Sequence, residues 1–566
     1  MTKSTPAIVI LGQSALSTAR RIQQVYPAAQ IHGLAGRVEG ADCSYQEFGA
    51  TLRALYQQDT PIIALCAAGI VIRTLAPLLI EKGAEPAVLA VAEDGSTVVP
   101  LLGGLGGVNV MARKIADALQ VSAAITTSGE LRFGTCLLNP PSGYALADLE
   151  QGKRFVSDLL AGHSVRIDGA APWLDQAQLP EDPQAQHSIH VSSAEREASA
   201  NELLIHPRSV AVAVSADVAD LSSAIRTALQ QTKVAQQSLA CLLAADHEMA
   251  SASLREAALE LGVALRFVAA QSDLEALATV AMPAAKVVRA NGLAIAIAEL
   301  PLDVASIGRP RGRLAVIGLG PGAAELMVPA VKAELARCTD VLGYETYVRM
   351  AGPFRDDQVQ HCTDNREEMQ RARHAFRLAA EGRSVIVVSS GDPGVFAMAA
   401  AVLEALHESD DPAWHSVDLE ILPGVSASLA TAAQAGAPLG HDFCVMSLSD
   451  NLKPWSIIEK RLDLAAEADL ALAFYNPISR ARPWQLGRAL EIVAQHRRPE
   501  TPVVLGRDIG RPGQTLRTTT LGALTPDQVD MRTMVLIGSS TTCTFPRVTG
   551  GDWVYTPRWY GERPAS

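Results

Sequence analysis

The sequence has few aromatic residues, no closely paired cysteines and no excess of positive charge. Aromatic residues make up 4% of the 566 residues, so alanine, leucine and valine must supply most of the core. The formal net charge of −12 argues against a protein that follows nucleic-acid phosphates, because such proteins present a basic face. We therefore expect no nucleic-acid partner. An anionic small substrate remains possible where arginines gather locally.

The eight cysteines are scattered, and none of them forms a Cys-x-x-Cys pair. Several lie in apolar runs, which predicts buried free thiols in a reducing, cytoplasmic compartment. We expect no metal site. The cysteines are Cys43, Cys66, Cys136, Cys241, Cys338, Cys362, Cys444 and Cys543.

Long apolar runs are also lacking. No run reaches the length that crosses a membrane, so we expect no membrane partner. The stretch 1–6 leads directly into a short apolar run that ends before Gly12, which predicts a strand and no signal peptide.

The length predicts several domains, since single cores stop growing well below 566 residues. Strand and helix patterns alternate along the chain, which predicts a multidomain protein of the α/β class. We expect an N-terminal α/β domain over 1–145, a middle segment and linker over 146–205, and a second small α/β domain over 206–300. A boundary rich in proline, glycine and arginine then precedes a C-terminal unit over 313–560.

Local patterns predict individual elements of the first 300 residues. Residues 93–96 (Glu-Asp-Gly-Ser) predict a hairpin-type turn. Residues 179–201 are rich in Pro, Gln, Glu, Ser and His, which predicts a linker with His187 and His190 as solvated loop residues. Strands are predicted at 7–11, 62–66, 87–91, 209–214 and 239–244, and helices at 70–82, 108–119, 221–230 and 253–261.

Three glycine-rich turns in the C-terminal unit each follow a short apolar strand. The turns are 318–322 (Gly-Leu-Gly-Pro-Gly), 389–394 (Ser-Ser-Gly-Asp-Pro-Gly) and 423–427 (Pro-Gly-Val-Ser-Ala), and each is predicted to open a helix. Taken singly, each is equally well a tight turn that needs glycine for a positive φ. Together they predict a pocket for a nucleotide-like ligand, because ligands collect at the carboxyl ends of strands in α/β sheets. No Lys-Ser/Thr pair follows Gly322, so the first turn does not fit a phosphate-binding loop.

The sequence around these turns carries further distinctive stretches. They are 343–348 (Gly-Tyr-Glu-Thr-Tyr-Val), 364–367 (Asp-Asn-Arg-Glu), 436–444, 447–450, 474–477 (Phe-Tyr-Asn-Pro), 535–538 and 556–558. On these residues the C-terminal unit resembles the tetrapyrrole methylases, and within them the precorrin-3B C(17)-methyltransferase subfamily of cobalamin biosynthesis. The resemblance spans the whole unit.

The resemblance implies two α/β lobes with a cleft between them, usually in a homodimer, and S-adenosyl-L-methionine as the cofactor. It implies methylation of precorrin-3B at carbon 17 with ring contraction to precorrin-4. The cofactor-binding residues it implies are Gly320, Pro321, Gly322, Ser390, Gly391, Asp392, Val395, Ser426, Ala427, Tyr475, Asn476 and Ile509.

A precorrin carries several carboxylates, which favours arginine because its planar fork binds a carboxylate at two points. Arg366 and Arg482 lie inside the resembling stretches and are the substrate-binding candidates. Further candidates are Arg349, Arg480, Arg507 and Arg511.

Ring contraction also needs proton transfers, for which a carboxylate or histidine can serve. Glu345 falls where some relatives carry an acid/base carboxylate. The other catalytic candidates are Asp364, His441 and Asp450. Asp392 is expected to shape its turn rather than to move protons.

The N-terminal half carries a second set of distinctive stretches, 69–73 with Pro77 and Lys82, 86–88, 94–95, 100–109 and 126–127. On these it resembles the cobalt-precorrin-5A hydrolases. It departs from them at Gly103-Gly104-Leu105, where the family usually reads Ser-Gly-His. The piece 206–298 resembles the family only faintly, with 212–217 (Val-Ala-Val-Ser-Ala-Asp) in place of a glycine-and-cysteine strand end.

Three roles stay open for this half: a hydrolase that opens a corrinoid lactone, a non-catalytic tetrapyrrole-binding module, or a relic kept for stability. For the C-terminal unit the rival is a methylase that acts on RNA or protein, since fold alone does not settle the substrate. The acidic charge and the resembling stretches argue against that rival.

Overall fold

The structure, a computed structural model, describes residues 5–79, 85–364, 367–479, 481–548 and 550–559. The chain divides into two compact units, Met1–Arg311 and Gly312–Ser566, called unit 1 and unit 2 below. Both alternate helices with strands, so the predicted α/β class is confirmed. The finer division of the N-terminal half into domains stays a prediction. Within the described ranges no helix combines the length and apolarity that a membrane span needs.

Unit 1 begins with a six-stranded sheet. Its elements are β1 (Ala7–Ile10), α1 (Leu16–Val25), β2 (Gln30–Leu34), β3 (Cys43–Tyr45), α2 (Phe48–Gln57), β4 (Ile62–Leu65), α3 (Ala68–Leu75), β5 (Val88–Val91), β6 (Val98–Leu102), α4 (Val108–Leu119) and α5 (Ser128–Phe133). The strand order is β3-β2-β1-β4-β5-β6, and only β6 runs antiparallel to its neighbour. The strands β1, β4 and β5 are buried along their whole length, as expected where helices cover both faces of a parallel sheet.

Two smaller sheets complete unit 1. The first has the order β7-β10-β9-β8 and the second the order β13-β12-β11-β15-β14. Their elements are β7 (Tyr144–Leu146), α6 (Leu149–Leu160), β8 (Val165–Asp168), β9 (His187–Val191), β10 (Glu202–Pro207), β11 (Val210–Ala213), α7 (Leu221–Gln231), β12 (Leu239–Ala245), α8 (Ala252–Leu261), β13 (Ala264–Val268), α9 (Leu274–Ala281), β14 (Lys286–Ala290) and β15 (Leu293–Ile297).

The linker predicted at 179–201 is wrong in its middle, which is the strand β9. This strand lies between β8 and β10 and pairs in parallel with both. His187 is buried there, with its Nε2 atom 3.4 Å from Asp158 Oδ2, and His190 is partly buried. The polar composition suggested a solvated loop. The segment is a strand because its backbone groups form hydrogen bonds with the two strands on either side of it.

Most of the other local predictions for unit 1 are confirmed. The five predicted strands correspond to β1, β4, β5, β11 and β12, and the turn at 93–96 connects the antiparallel β5 and β6. Helices α4, α7 and α8 lie where they were predicted. The helix predicted at 70–82 is shorter, because α3 ends at Leu75 in a 3₁₀ turn, Ala76–Leu78, that contains Pro77. Residues 80–84, with Lys82, lie outside the described part of the chain.

Unit 2 holds two five-stranded sheets. The first is built from β16 (Arg313–Gly318), α10 (Pro329–Arg337), β17 (Asp340–Tyr344), α11 (Glu345–Ala351), β18 (Val359–Thr363), α12 (Glu368–Ala380), β19 (Ser384–Ser389), α13 (Met398–His407), α14 (Pro412–His415) and β20 (Asp418–Leu422). Its order is β18-β17-β19-β16-β20, and all of its strands run parallel.

The second sheet of unit 2 and a three-stranded sheet follow. Their elements are α15 (Ala427–Ala435), β21 (Gly436–Ala437), β22 (Phe443–Ser447), α16 (Trp455–Glu467), β23 (Ala471–Tyr475), α17 (Gln485–Ala494), β24 (Pro502–Arg507), β25 (Thr515–Thr520), β26 (Thr533–Ile537), β27 (Cys543–Pro546) and β28 (Asp552–Tyr555). The five-stranded order is β22-β23-β26-β24-β25, and the small sheet has the order β21-β28-β27. The strands β22, β23 and β24 run in the same direction, since β26 is antiparallel to both of its neighbours.

All eight cysteines lie in the described ranges, and none of them forms a disulfide bond. Cys66, Cys241 and Cys338 are buried as predicted, and burial raises the pKa of these thiols to about 11, about 12 and about 11. The prediction does not hold for Cys362 and Cys543, which are exposed.

Candidate functional site

The three glycine turns meet at one edge of the parallel sheet of unit 2. They follow the neighbouring strands β19, β16 and β20 at their carboxyl ends. The first two turns are bonded to each other: Gly391 N donates to Gly320 O at 2.8 Å, and Gly320 N donates to Gly391 O at 3.1 Å. Both of these glycines have positive φ, +74° and +71°, which explains the residue type.

Glycine is also required where the turns approach most closely. A Cβ atom on Gly424 would lie 2.2 Å from Gly391 O and 2.7 Å from Gly318 O. A Cβ on Gly318 would lie 2.4 Å from Gly391 O. Gly318 and Gly424 therefore pack against the Gly391 carbonyl group without room for a side chain.

The Asp392 carboxylate joins the second turn to the third. Its Oδ1 accepts a hydrogen bond from Gly394 N at 2.8 Å, and its Oδ2 accepts one from Gly424 N at 3.0 Å. Asp392 is thus engaged in shaping the turns, as predicted from its position after Gly391.

Arg511, in the segment between β24 and β25, joins the first turn to the second. Its Nε atom donates to Pro321 O at 3.0 Å and its Nη2 atom donates to Ser390 Oγ at 3.2 Å. The sequence suggested that Arg511 binds substrate. The structure shows that its guanidinium holds two of the predicted cofactor-binding residues.

The third turn opens a helix directly, as predicted. Ser426 is the N-terminal cap of α15, where its side chain accepts from Leu429 N. The first two turns do not open helices in this way. A 3₁₀ turn at Ala324–Leu326 precedes α10, and Val395 to Ala397 precede α13.

A second edge brings Tyr475, Asn476 and Ile509 together. Tyr475 ends β23, and Ile509 follows β24, which runs in the same direction two strands away. Asn476 has a φ of 48° and donates from Nδ2 to Ser447 Oγ at 3.0 Å, at the end of β22.

Tyr475 connects this edge to the third turn. Its hydroxyl accepts from Ser428 N at 3.1 Å and lies 3.2 Å from Ser428 Oγ, one residue after Ala427. The predicted cofactor residues Tyr475 and Ala427 are thus linked through Ser428. Their role in binding stays a prediction.

The arginines predicted to bind substrate are largely paired within the protein. Arg482 donates to Asp450 Oδ1 at 2.6 Å and to Ser449 Oγ at 3.0 Å. Arg507 pairs with Asp508 and Asp530, and Arg349 pairs with Glu345 on α11. Arg366 and Arg480 lie outside the described residues.

Two catalytic candidates stand at the edge of the parallel sheet. Glu345 follows β17, beside the strand that carries Ser390, and is exposed. Asp364 follows β18, one strand further out, and its backbone carbonyl accepts from Arg371 Nη2 at 2.7 Å.

Asp450 lies at the edge that carries Asn476. The hydrogen bond from Arg482 holds the pKa of the Asp450 carboxyl below its ordinary value. It is therefore ionised near neutral pH, which suits charge stabilisation or proton acceptance better than proton donation.

The structure places His441 at the end of β22 opposite to the edge that carries Ser447. His441 precedes β22, whose carboxyl end carries Ser447, so the length of the strand separates the two, on the order of 15 Å at the usual rise per residue. Its Nδ1 atom accepts a hydrogen bond from Asp442 N at 2.8 Å. The catalytic role of His441 stays a prediction.

Two cavities of unit 2 differ in their relation to these edges. The larger one, about 360 Å³, is lined by Leu490, Pro499 and Leu521 among others and lies where β24 begins, at the opposite edge. A small one, about 50 Å³, is lined by Phe396, Ser447, Lys453 and Arg461 among others. Sequence reasoning missed Lys453 and Arg461, because neither lies in a glycine turn.

In unit 1 the segment 103–107 leads into α4. Gly103 packs so tightly that a Cβ would lie 2.5 Å from Pro86 O, and Leu105 is exposed. Just beyond, Asn109 Nδ2 donates to Glu130 Oε1 at 2.7 Å, and Arg113 pairs with Glu130 Oε2 at 2.6 Å. The Glu130 carboxylate is buried and fully engaged.

Comparison with known proteins matches both halves of the chain. The family model of Tetrapyrrole (Corrin/Porphyrin) Methylases matches residues 313–525. The model named Cobalamin synthesis G N-terminal matches residues 50–130.

Individual relatives match the same share of the chain. A precorrin-3B C(17)-methyltransferase of Sinorhizobium sp is 50% identical over 250 residues, which are 44% of this chain and 97% of that protein. The cobalamin biosynthesis protein CobIJ of Mycobacterium tuberculosis (strain ATCC 25618 / H37Rv) is 47% identical over 255 residues, 44% of this chain and 49% of that protein. A crystal structure of the methyltransferase CobJ is 51% identical, with a TM-score of 0.41, and covers 44% of this chain and 100% of that one.

Proposed function

The chain belongs to the tetrapyrrole methylase family, and from this premise we propose that unit 2 methylates carbon 17 of precorrin-3B as the macrocycle contracts to precorrin-4. The methyl donor in this proposal is S-adenosyl-L-methionine. The observation that carries it is the meeting of the three glycine turns at one sheet edge, joined through Asp392 and Arg511. The 50% identity to a protein named for this reaction supports the choice of substrate.

The residues of the three glycine turns can accommodate S-adenosyl-L-methionine. The position that a Cβ on Gly391 would take is bordered by backbone atoms of Ser426, Ala427 and Val425 at 3.7 to 4.0 Å, so the missing side chain leaves space between the second and third turns. A ligand there meets backbone amide and carbonyl groups rather than side chains. When bound, S-adenosyl-L-methionine supplies a methyl group on a positively charged sulfur. We expect Pro321, Ser390 to Asp392, Ser426, Ala427, Tyr475 and Asn476 to hold it.

The main task of these residues is to fix two reactants in a near-attack geometry, which can lower a barrier by about 7–11 kcal/mol. Asp392 and Arg511 lock the turns before binding, so little ordering is needed when the ligands arrive. The hydrogen bond from Ser428 N to the Tyr475 hydroxyl fixes the part of the proposed site that the second sheet contributes.

Proton transfers during contraction are assigned by position. Glu345 and Asp364 stand at the edge of the glycine turns, and we propose them as the groups that accept or donate protons. Asp450, ionised by its pairing with Arg482, would stabilise positive charge or accept a proton.

The decisive experiment incubates the full chain with S-adenosyl-L-methionine and precorrin-3B and analyses the product by mass spectrometry and absorbance. We expect the gain of one methyl group and the spectrum of a contracted macrocycle. A product methylated without contraction would limit the proposal to methyl transfer. No methylated product, with the substrate intact, would reject it.

A second function is proposed for unit 1, because the Cobalamin synthesis G N-terminal model matches residues 50–130. In one form the unit hydrolyses a corrinoid lactone, adding water across the ester bond. In the other it binds a tetrapyrrole without changing it, which the absence of a histidine from 103–107 favours. Incubation with a lactone-bearing corrinoid distinguishes the two forms. A gain in mass of one water supports hydrolysis, and an absorbance shift at constant mass supports binding. If neither change is observed, both forms of the proposal for unit 1 are rejected.

The assembly and the compartment belong to the same proposal. We expect a homodimer formed through unit 2, as the family resemblance implies, and a cytoplasmic location, as the scattered cysteines predict. Light scattering after size-exclusion chromatography would give twice the chain mass, and a single chain mass at micromolar concentration would contradict the dimer.

A further inference from the structure

We propose that Lys453 and Arg461 form a binding site for a carboxylate of the tetrapyrrole substrate. The inference rests on the proposed methyl transfer by unit 2 and adds two residues to it. Lys453 precedes α16 and Arg461 lies on that helix.

Both cations line the small cavity beside the carboxyl end of β22. Its other walls include the apolar side chains of Met446 and Ile458 and the hydroxyl of Ser447. Ser447 Oγ is the atom that accepts from Asn476, so the cavity adjoins a predicted cofactor-binding residue. Its volume of about 50 Å³ leaves room for a few water-sized groups, enough for one carboxylate and not for a macrocycle.

Neither cation has an acidic partner among the residues that the structure describes. This distinguishes them from Arg482, Arg507 and Arg349, each of which already pairs with a carboxylate. Burial, and then the charge of Arg461, lower the pKa of the Lys453 ammonium. Two positive groups placed at one cavity without an anion repel each other, and a bound carboxylate would remove that cost.

Phe396 provides an independent observation at the same place. Its φ of 53° puts a bulky residue in the left-handed region, a strained conformation of the kind that clusters at ligand sites. Phe396 is 51% exposed, and its ring packs edge-on against Tyr475 at 5.4 Å between centroids. Lys453 Nζ lies 5.8 Å from the centre of the ring. A flat apolar surface beside two cations suits a planar macrocycle with acidic arms.

The carboxylate could have two sources, the tetrapyrrole or the methionyl part of the donor. The exposed side chain of Phe396 favours the tetrapyrrole, because a flat apolar face beside the two cations suits a planar macrocycle better than the methionyl part of the donor. The experiment must therefore measure both ligands.

The test compares the variants Lys453→Gln, Arg461→Gln and Lys453→Arg with a control, Lys460→Gln, which removes an exposed charge from the same helix. Each Gln variant at the site should raise the KM for precorrin-3B by about tenfold or more, the usual effect of losing one charged hydrogen bond. The Kd for S-adenosyl-L-methionine, measured by calorimetry, should stay within about twofold. Lys453→Arg should restore most of the loss, and Lys460→Gln should behave as the unchanged protein.

Unchanged KM for precorrin-3B in both Gln variants would overturn the inference. A raised Kd for the donor with an unchanged precorrin KM would also overturn it, since the site would then take the donor carboxylate. Absorbance titration of precorrin-3B separates this inference from the proposed function. If no methyl is transferred by the unchanged protein, weaker precorrin binding in the two Gln variants still supports the site, and equal binding rejects it.

Discussion

At the scale of single residues, the proposed site depends on side chains that join segments far apart in the sequence. Asp392 bonds to Gly424, Arg511 bonds to Pro321, and Arg482 bonds to Asp450. Each contact pairs a charged side chain within the protein, and each fixes the position of a neighbour. Substitutions at Asp392 and Arg511 therefore act on binding through the shape of the turns.

Replacing Asp392 should loosen the second and third turns together. Asp392→Ala removes both hydrogen bonds of the carboxylate, and we expect a loss of about 2 kcal/mol in unfolding free energy and at least about a tenfold rise in the Kd for S-adenosyl-L-methionine. Asp392→Asn keeps one accepting oxygen and should be intermediate. Calorimetry and denaturant unfolding measure the two quantities. Asp410→Ala, at an exposed site, is the control, and unchanged donor affinity in Asp392→Ala would remove this residue from the site.

The Arg482 and Asp450 pair predicts a pH dependence. The pKa of Asp450 is lowered in the folded state, so the pair stabilises the fold above the ordinary carboxyl pKa of 3.8 and loses its effect as the pH falls through the lowered value. Arg482→Gln should therefore lower Tm at neutral pH, and the difference in Tm should shrink below pH 3.8. Thermal scans over this range measure it. A difference that persists at low pH, or that is the same in the Asp450→Asn background, would assign the effect to another contact of Arg482.

At the scale of elements, the site consists of loops held by two sheet edges. Parallel strands place β16, β19 and β20 with their carboxyl ends side by side, and the common direction of β22, β23 and β24 does the same in the second sheet. Glycine is required where the turns touch, whereas Gly487 of α17 has ordinary space around it.

A pair of glycine substitutions tests this requirement. Gly424→Ala would place a methyl group 2.2 Å from Gly391 O, so we expect a loss of about 3 kcal/mol in stability and loss of donor binding. Gly487→Ala, inside α17 with its nearest neighbour at 3.6 Å, should instead stabilise by about 0.5–1 kcal/mol with binding unchanged. Denaturant unfolding and calorimetry are the measurements. Equal effects of the two substitutions would show that the close approach of the turns is not what selects glycine at 424.

At the scale of the whole molecule, two compact units have separate cores. The match to the Sinorhizobium protein spans 97% of that protein but only 44% of this chain. That methyltransferase therefore has no counterpart of unit 1. The match of residues 50–130 to a different family model gives unit 1 its own expected role.

Separate expression tests this independence. Residues 312–566 alone should fold and retain the kcat and the precorrin KM of the full chain within about twofold, because the proposed site lies within unit 2. Circular dichroism confirms folding, and initial rates measure activity. A folded fragment that has lost most of its activity would show that unit 1 contributes to methyl transfer.

The sequence by itself determined the α/β class, most strands, the three turns and the family, because these depend on local patterns of apolar residues and glycine. Polar composition misled at 179–201, where pairing with two flanking strands makes a buried strand. Only the tertiary structure decided which cations are neutralised and that Lys453 and Arg461 share a cavity with Phe396. Such pairings join residues distant in the chain, and they are set by packing and strand direction, which no local pattern records.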